Sequence, residues 1–236
     1  MSAVKARDRA LDDAVVAARD REDVVIGNEI VRHRFASRAI HWTVAFTFFV
    51  SLFTGLPIWT PIFGWMAYLF GGLSVCRWLH PWAGVAFAVI STFQFFHWLS
   101  DMKLEESEKD WFGPAVVKYL KYQSDDSDVG KYNGGQKLFF FAASLGALGL
   151  FVSGLVMWNP ELVGTILRET AIFLHDVTFI LFVAAIVWHI YLGTVAEPGT
   201  FGSMVRGTVT RAWARLHHPR WYREVTGEDG GDSARK

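Results

Sequence analysis

The stretch Ala171–Glu197, AIFLHDVTFILFVAAIVWHIYLGTVAE, decides the fold of this chain. It is an apolar run of about 20 residues, long enough for an α-helix to cross the hydrocarbon of a bilayer. It carries two histidines, His175 and His189, fourteen residues apart. At ~1.5 Å rise per residue that is roughly 21 Å of helix, and fourteen residues is close to four turns, so both rings fall near one face. One histidine therefore sits near each edge of the slab. Ionisable groups inside a span are costly and mark a functional site by default. Two at this separation suggest two metal or haem centres stacked across the membrane.

The rest of the composition agrees with a membrane protein. Of 236 residues, 52% are hydrophobic and 16% aromatic. Charged side chains crowd into residues 1–38, 101–137 and 197–236 and leave long apolar blocks between. A globular domain spreads its charges more evenly. The formal net charge is zero, which gives nucleic-acid binding no support. Cys76 is the single cysteine, so an internal disulfide and a thiolate cluster are excluded. Cys76 itself reads as a bystander near a span end. Residues 1–30 lack the apolar core of a signal peptide, and the N-terminus is expected to stay inside.

Four spans follow in order. Residues 1–31 mix Arg, Asp and Ala and read as a polar tail, with room for a short surface helix. Arg32, Arg34 and Arg38 precede the first span, 40–58, which Pro57, Pro61 and Gly64 are expected to end. Trp59, Trp65 and Trp78 suit an interfacial aromatic belt. The second span, 81–99, follows WLHP, with Pro81 at a helix start where a missing N–H costs nothing. Within the polar loop 100–137, WFGPAVVKYLKY at 111–122 reads as an amphipathic helix lying on the membrane surface. The third span is 138–158 and the fourth 171–195, and a basic tail runs from 198 to 236. The loops 58–79 and 159–170 hold only Arg77 and Arg168 as cations. The positive-inside rule then places both termini and the long middle loop in the cytoplasm. The expected architecture is an all-α integral membrane bundle of four transmembrane helices, residues 32–197, with that surface helix in its cytoplasmic loop.

Depth sorts the histidines. His41 begins the first span and His189 ends the fourth, both at the cytoplasmic side. His80 begins the second and His175 the fourth, both at the outer side. Each depth thus receives two imidazoles from different helices, the arrangement that bis-histidine ligation of a planar haem requires. One histidine near a span end is ordinarily interfacial; the two depth-matched pairs carry the reading. His33 and His97 also lie at the cytoplasmic side and are competitors for the place of His41. His33, among arginines, reads as solvated, and His97 as a hydrogen-bonding or quinone-side group. His217 and His218 lie in the polar tail, outside the ligand set. Gly84, Gly146, Gly149 and Gly154 allow close helix packing or make room for a porphyrin face. Arg38, Arg77 and Arg168 are either interfacial anchors or partners of propionates.

Several segments carry a resemblance: RAIHW, WLHPWAG, DVGKYNGGQK, the LHD and WHIYL pieces of the fourth span, and RAWARLHHPRWYRE. Together, over about Val31 to Glu224, they resemble the gamma, cytochrome b556, subunits of respiratory formate dehydrogenases, within a wider group of di-haem cytochromes b. KYNGGQK and HHPRWYRE are the more specific pieces. The resemblance implies haem ligands at His41, His80, His175 and His189, paired as depth pairs them. It also implies a quinone site on KYNGGQK: Asn133 and Gly135, with Gln136 beside them. The family often has Ala where this chain has Gly134. Asn and Gln amides suit a quinone carbonyl, and glycine lets the backbone come close.

The implied cofactors are two haem b groups, with quinone as substrate. The implied partners are an iron–sulfur beta subunit and a molybdenum- or tungsten-containing alpha subunit that oxidises formate. The chain itself carries no residues for formate chemistry, and it would lie among lipid in the bacterial inner membrane. Two alternatives share the histidine pattern: the cytochrome b of a membrane-bound hydrogenase or other periplasmic oxidoreductase, and a stand-alone di-haem b-type oxidase.

Overall fold

The computed structural model describes residues 2–104 and 129–228. The surface helix expected at 111–122 lies outside the described residues. Four helices are long and apolar enough to cross a membrane: α2 (Phe35–Trp59), α3 (Leu73–Trp98), α4 (Gly134–Trp158) and α5 (Thr165–Tyr191). A short π-helical turn, Leu192–Ala196, prolongs α5. All four expected spans are thus present, each starting earlier than the apolar run alone indicates.

Two proline readings are corrected. Pro57 lies inside α2, which runs on to Trp59, and Pro81 lies inside α3, eight residues from its start. The helix after Pro57 ends at Thr60, whose hydroxyl accepts from the Ile62 amide and opens a 3-10 segment, Pro61–Phe70. Gly71 closes that segment in the left-handed region at φ 92°. His80, His175 and His41 are correspondingly not at helix ends but several residues in.

The chain divides into two compact units. The apolar unit comprises Ile40–Trp98 and Phe140–Val187, hence most of all four long helices. Each helix gives one residue to its centre: Phe48, Phe87, Ala147 and Phe182. The three phenyl rings contact one another at centroid distances of 5.2–5.9 Å. Phe46, Phe93, Leu145 and Leu181 point outward and are exposed, as a lipid-facing surface demands.

The mixed unit comprises Met1–Ala39, Leu99–Phe139 and Trp188–Lys236. The all-α membrane class holds, and beside the four spans this unit adds short elements of its own. Ser2–Ala17 form helix α1, and the strands β1 (Val24–Ile26), β2 (Glu29–Val31) and β3 (Thr208–Thr210) form an antiparallel sheet in that order. The β-branched triplets VVI and TVT favour strand, and Gly27, at φ 58°, makes the tight turn between β1 and β2. A Cβ on Gly27 would also lie 2.8 Å from that of Ala10. Its described residues also form the helices α6 (Thr200–Val205), α7 (Arg211–His217) and α8 (Pro219–Thr226). Its core joins Ile30 and Val209 from the sheet to Trp213, Ala214, Trp221 and Tyr222.

Candidate haem and quinone sites

His80 and His175 come together. Their rings stand 6.3 Å apart between centroids and 77° between planes. Each is oriented through Nδ1 by a neighbouring helix. His80 Nδ1 lies 3.0 Å from the Ser51 carbonyl oxygen, which can only accept, so His80 donates there. His175 Nδ1 lies 2.9 Å from Ser153 Oγ, whose own proton goes to the Gly149 carbonyl at 2.6 Å. Both rings therefore carry their proton on Nδ1 and offer Nε2 as a lone pair. A metal-ligating histidine is fixed in this manner by the hydrogen bond of its other nitrogen.

The spacing suits one iron between them. An imidazole nitrogen sits about 2.0 Å from a first-row metal and its ring centre about 1.1 Å farther out, so two opposed imidazoles have centres about 6.2 Å apart. Among the described residues no three His, Cys, Asp or Glu side chains gather around a common point. Two imidazoles alone make a poor metal cage but complete a porphyrin, which brings four nitrogens of its own.

Sequence reasoning passed over the residue that makes room for this pair. A Cβ on Gly55 would lie 2.8 Å from His80 Cε1 and 3.0 Å from Nδ1. Gly154 plays the milder counterpart, its Cβ position 3.5 Å from His175 Cε1. A glycine one turn from Ser51 in an apolar run is the signal that was available.

His41 and His189 belong to different units. In the apolar unit, His41 meets the edge of Trp42 at 5.2 Å. In the mixed unit, His189 lies flat against Phe139, with centroids 4.6 Å apart and planes within 3°. The competitors are placed elsewhere. His97 packs edge-on to Trp98 at 4.8 Å. His33 is buried, not solvated, and stacks on Tyr132 at 6.0 Å. Arg77 and Arg168 are exposed. Arg38 gives Nη1 to the Val205 carbonyl at 2.6 Å and Nη2 to that of Ala18 at 3.4 Å, which makes it a tether for the start of α2. Cys76 is fully buried as a small filler in α3.

The KYNGGQK stretch forms the entry to α4. Asn133 Oδ1 accepts from the Gln136 amide at 2.8 Å, and Gln136 Oε1 accepts from the Asn133 amide at 3.1 Å. This reciprocal cap uses both side-chain oxygens. Neither bond uses the NH2 groups, which are chemically donors suited to an acceptor such as a carbonyl. Gly134 and Gly135 supply first-turn amides, which have no acceptor within the helix.

Sequence reasoning also missed what holds that stretch. The HHPRWYRE motif grips it from below in sequence order. The Val129 carbonyl accepts from the Arg220 and Trp221 amides. His218 Nδ1 donates to the Gly130 carbonyl at 2.7 Å, and Arg32 Nη2 to that of Lys131 at 2.6 Å. Lys131 pairs with Glu22 at 2.9 Å and with Asp23, and Trp221 Nε1 donates to Asp23. Arg32 is 3% exposed, with its guanidinium 4.8 Å from the Trp213 ring and 5.4 Å from Trp221. Burial lowers its pKa to about 10, so it stays a cation held by aromatic faces. The two sequence motifs are thus the two sides of one clamp.

Burial, then the neighbouring Arg32 cation, pushes His218 well below the ordinary histidine value of 6.5. A folded-state value lower than the unfolded one adds stability that is complete above about 6.5 and declines as pH falls below it, since the unfolded chain then takes up the proton first. Glu22 adds the same sign: burial opposes its charge, but Lys131 and the Arg34 amide outweigh it and hold its pKa low. Through His218, the protection factors of the amides of residues 129–133, which are intrinsic exchange rates divided by observed rates at the same pH, are therefore expected to fall as pH drops from 7 to 5.5, whereas Glu22 contributes only below about 4.5. In His218→Gln that pH dependence should be weaker.

A family profile described as prokaryotic cytochrome b561 matches residues 32–207. The nitrate-inducible formate dehydrogenase cytochrome b556(Fdn) subunit of Escherichia coli K12 is 32% identical over 199 residues, covering 83% of this chain and 91% of that protein. The formate dehydrogenase cytochrome b556(fdo) subunit of the same organism is 33% identical, over 83% and 93% of the two chains. The formate dehydrogenase cytochrome b556 subunit of Haemophilus influenzae is 32% identical over 83% of each. A cytochrome b holds haem b. With four membrane-capable helices, this is a bacterial membrane protein. The chain belongs to the prokaryotic cytochrome b561 family and stands with the cytochrome b556 subunits of formate dehydrogenases.

Proposed function

We propose that this chain is the membrane-anchoring subunit of a formate dehydrogenase and carries electrons across the bacterial inner membrane to a quinone. The observation that carries the reading is the His80–His175 pair, 6.3 Å apart, with both Nδ1 atoms committed to neighbouring helices. We assign two haem b groups. His80 and His175 would hold the outer one, His41 and His189 the cytoplasmic one. The interval from His175 to His189 supports the second assignment, roughly 21 Å along one helix face. Haem b supplies reversible one-electron chemistry. The chain's own part is to present neutral imidazoles at two depths and to exclude water between them.

The quinone is assigned to the entry of α4, where Asn133 and Gln136 direct their NH2 groups and Gly135 its amide to a carbonyl. Electrons would come from an iron–sulfur subunit docked outside, and formate oxidation would belong to a molybdenum or tungsten subunit beyond it. The Lys and Arg distribution supports cytoplasmic termini and a cytoplasmic 100–137 loop. Quinone reduction at that side takes its protons from the cytoplasm. Each charge moved across 100 mV then conserves about 2.3 kcal/mol.

The test uses the intact complex. His175→Ala should remove one haem signal from the reduced optical spectrum and leave the other, and retention of both would end the ligand assignment. Asn133→Asp keeps the oxygen that caps α4 but removes the donor. Quinone reduction should slow roughly tenfold, about the worth of one hydrogen bond, while haem reduction by formate persists. If haem reduction fails first, the quinone lies elsewhere.

A further inference from the structure

We infer that Phe139 is a positioning residue for the cytoplasmic-side haem: it sets the plane of the His189 imidazole. The inference rests on the assignment of His189 as an axial ligand made above. The two rings are parallel within 3° at 4.6 Å between centroids. Imidazole bonded through Nε2 can still rotate about the metal–nitrogen axis, and the Nδ1 partner is the usual brake. A flat phenyl face against the ring is a second brake, because rotation about that axis would break the stack along its whole area.

The phenyl face is itself anchored. Phe139 follows Gln136 by three residues, on the first turns of α4. Those turns are pinned by the Asn133–Gln136 cap and by Lys137, whose Nζ donates to the Lys103 carbonyl at 2.9 Å. A group intended to aim a ligand works when its own support is rigid. The same cap carries the proposed quinone donors. The ligand plane and the quinone entry therefore share one rigid helix start.

The outer pair is arranged differently. His80 is braced by the Ser51 carbonyl and fully buried Thr54, and His175 by Ser153. The ring that Phe139 stacks on is His189, so a change at position 139 should register at one haem only.

The angle between two axial imidazole planes governs the largest g value of a low-spin ferric haem, which makes it the direct readout. In the intact complex, Phe139→Leu keeps apolar volume but removes the flat face. We expect the largest g value and the midpoint potential of the cytoplasmic-side haem to shift, with the outer haem's signal unmoved. Loss of that haem during washing should rise about two- to tenfold, the worth of one aromatic pair. Phe139→Tyr retains the face and should restore the wild-type g value. If the Leu variant fails to assemble, shown by loss of the outer signal as well, Phe139→Met gives the same comparison. Unmoved g values in the assembled Leu or Met variant overturn the inference. His189→Ala separates the two claims. If it keeps both haem signals, the ligand assignment fails and this inference falls with it. If it loses one while Phe139→Leu changes nothing, the assignment stands and only the role of Phe139 is wrong.

Discussion

Gly55→Ala is expected to empty the haem site proposed at His80 and His175 and leave the one proposed at His41 and His189 filled. The added methyl would sit 2.8 Å from His80 Cε1 and 3.0 Å from Nδ1, closer than such atoms approach. The ring must yield, since α2 backbone lies behind the methyl. Its freedom is small: Nδ1 is tied to the Ser51 carbonyl one turn away on the same helix, and Thr54 stands 3.5 Å from that nitrogen. Tilting the ring away breaks the tie and turns Nε2 off the axis it shares with His175. Overpacking of this kind costs about 1–3 kcal/mol by itself, and the misdirected ligand adds to it. The matched control is Gly154→Ala. Its methyl would meet His175 at 3.5 Å, an ordinary contact, and haem content should be unchanged. Optical and EPR quantification of both haems in the two variants decides it. Gly55→Ala with a full complement would mean that the ring enters the bound state in some other pose.

How far the sequence alone reaches is clear from such pairs. The spans were legible because apolar length in a membrane protein is nearly sufficient evidence. The histidines were legible because an ionisable group in such a run has few reasons to be there. Helix ends were not. Pro57 and Pro81 read as boundaries because a soluble helix breaks at proline, whereas membrane helices tolerate it. The two ends of the chain read as tails because their charge hides short elements. Three-residue strands such as Glu29–Val31 and Thr208–Thr210 give no period to detect, and their pairing joins segments about 180 residues apart. For the same reason the clamp between His218 and Gly130 could not be read, although both motifs stood out. Gly55 was passed over because a glycine in a span announces close packing without naming its partner.

Phe182→Ala should give the largest loss of stability among single changes in the apolar unit. Phe182 lies seven residues after His175 and seven before His189, so it marks the midpoint between the two histidines of α5. There it packs against Phe48 and Phe87 at 5.2 and 5.9 Å. It is 8% exposed. Within lipid the apolar effect cannot hold helices together, so packing must do more of the work. Truncating such a ring costs about 3–5 kcal/mol in well-packed cores. Gly146 is shaped to the same ring: a Cβ there would lie 2.7 Å from Phe182 Cδ2. Gly146→Ala should therefore also destabilise, by about 1–3 kcal/mol. The two positions must be coupled. In the double variant Gly146→Ala with Phe182→Leu, the smaller side chain vacates the space that the methyl needs. Its loss should fall short of the summed losses of Gly146→Ala and Phe182→Leu by about 0.5–3 kcal/mol, the range for residues in contact. Thermal unfolding in detergent, followed by haem absorbance, measures these three variants and Phe182→Ala. Additive losses would show that Gly146 and Phe182 do not share that space, and the mid-membrane layer of rings would then need another explanation for its glycine.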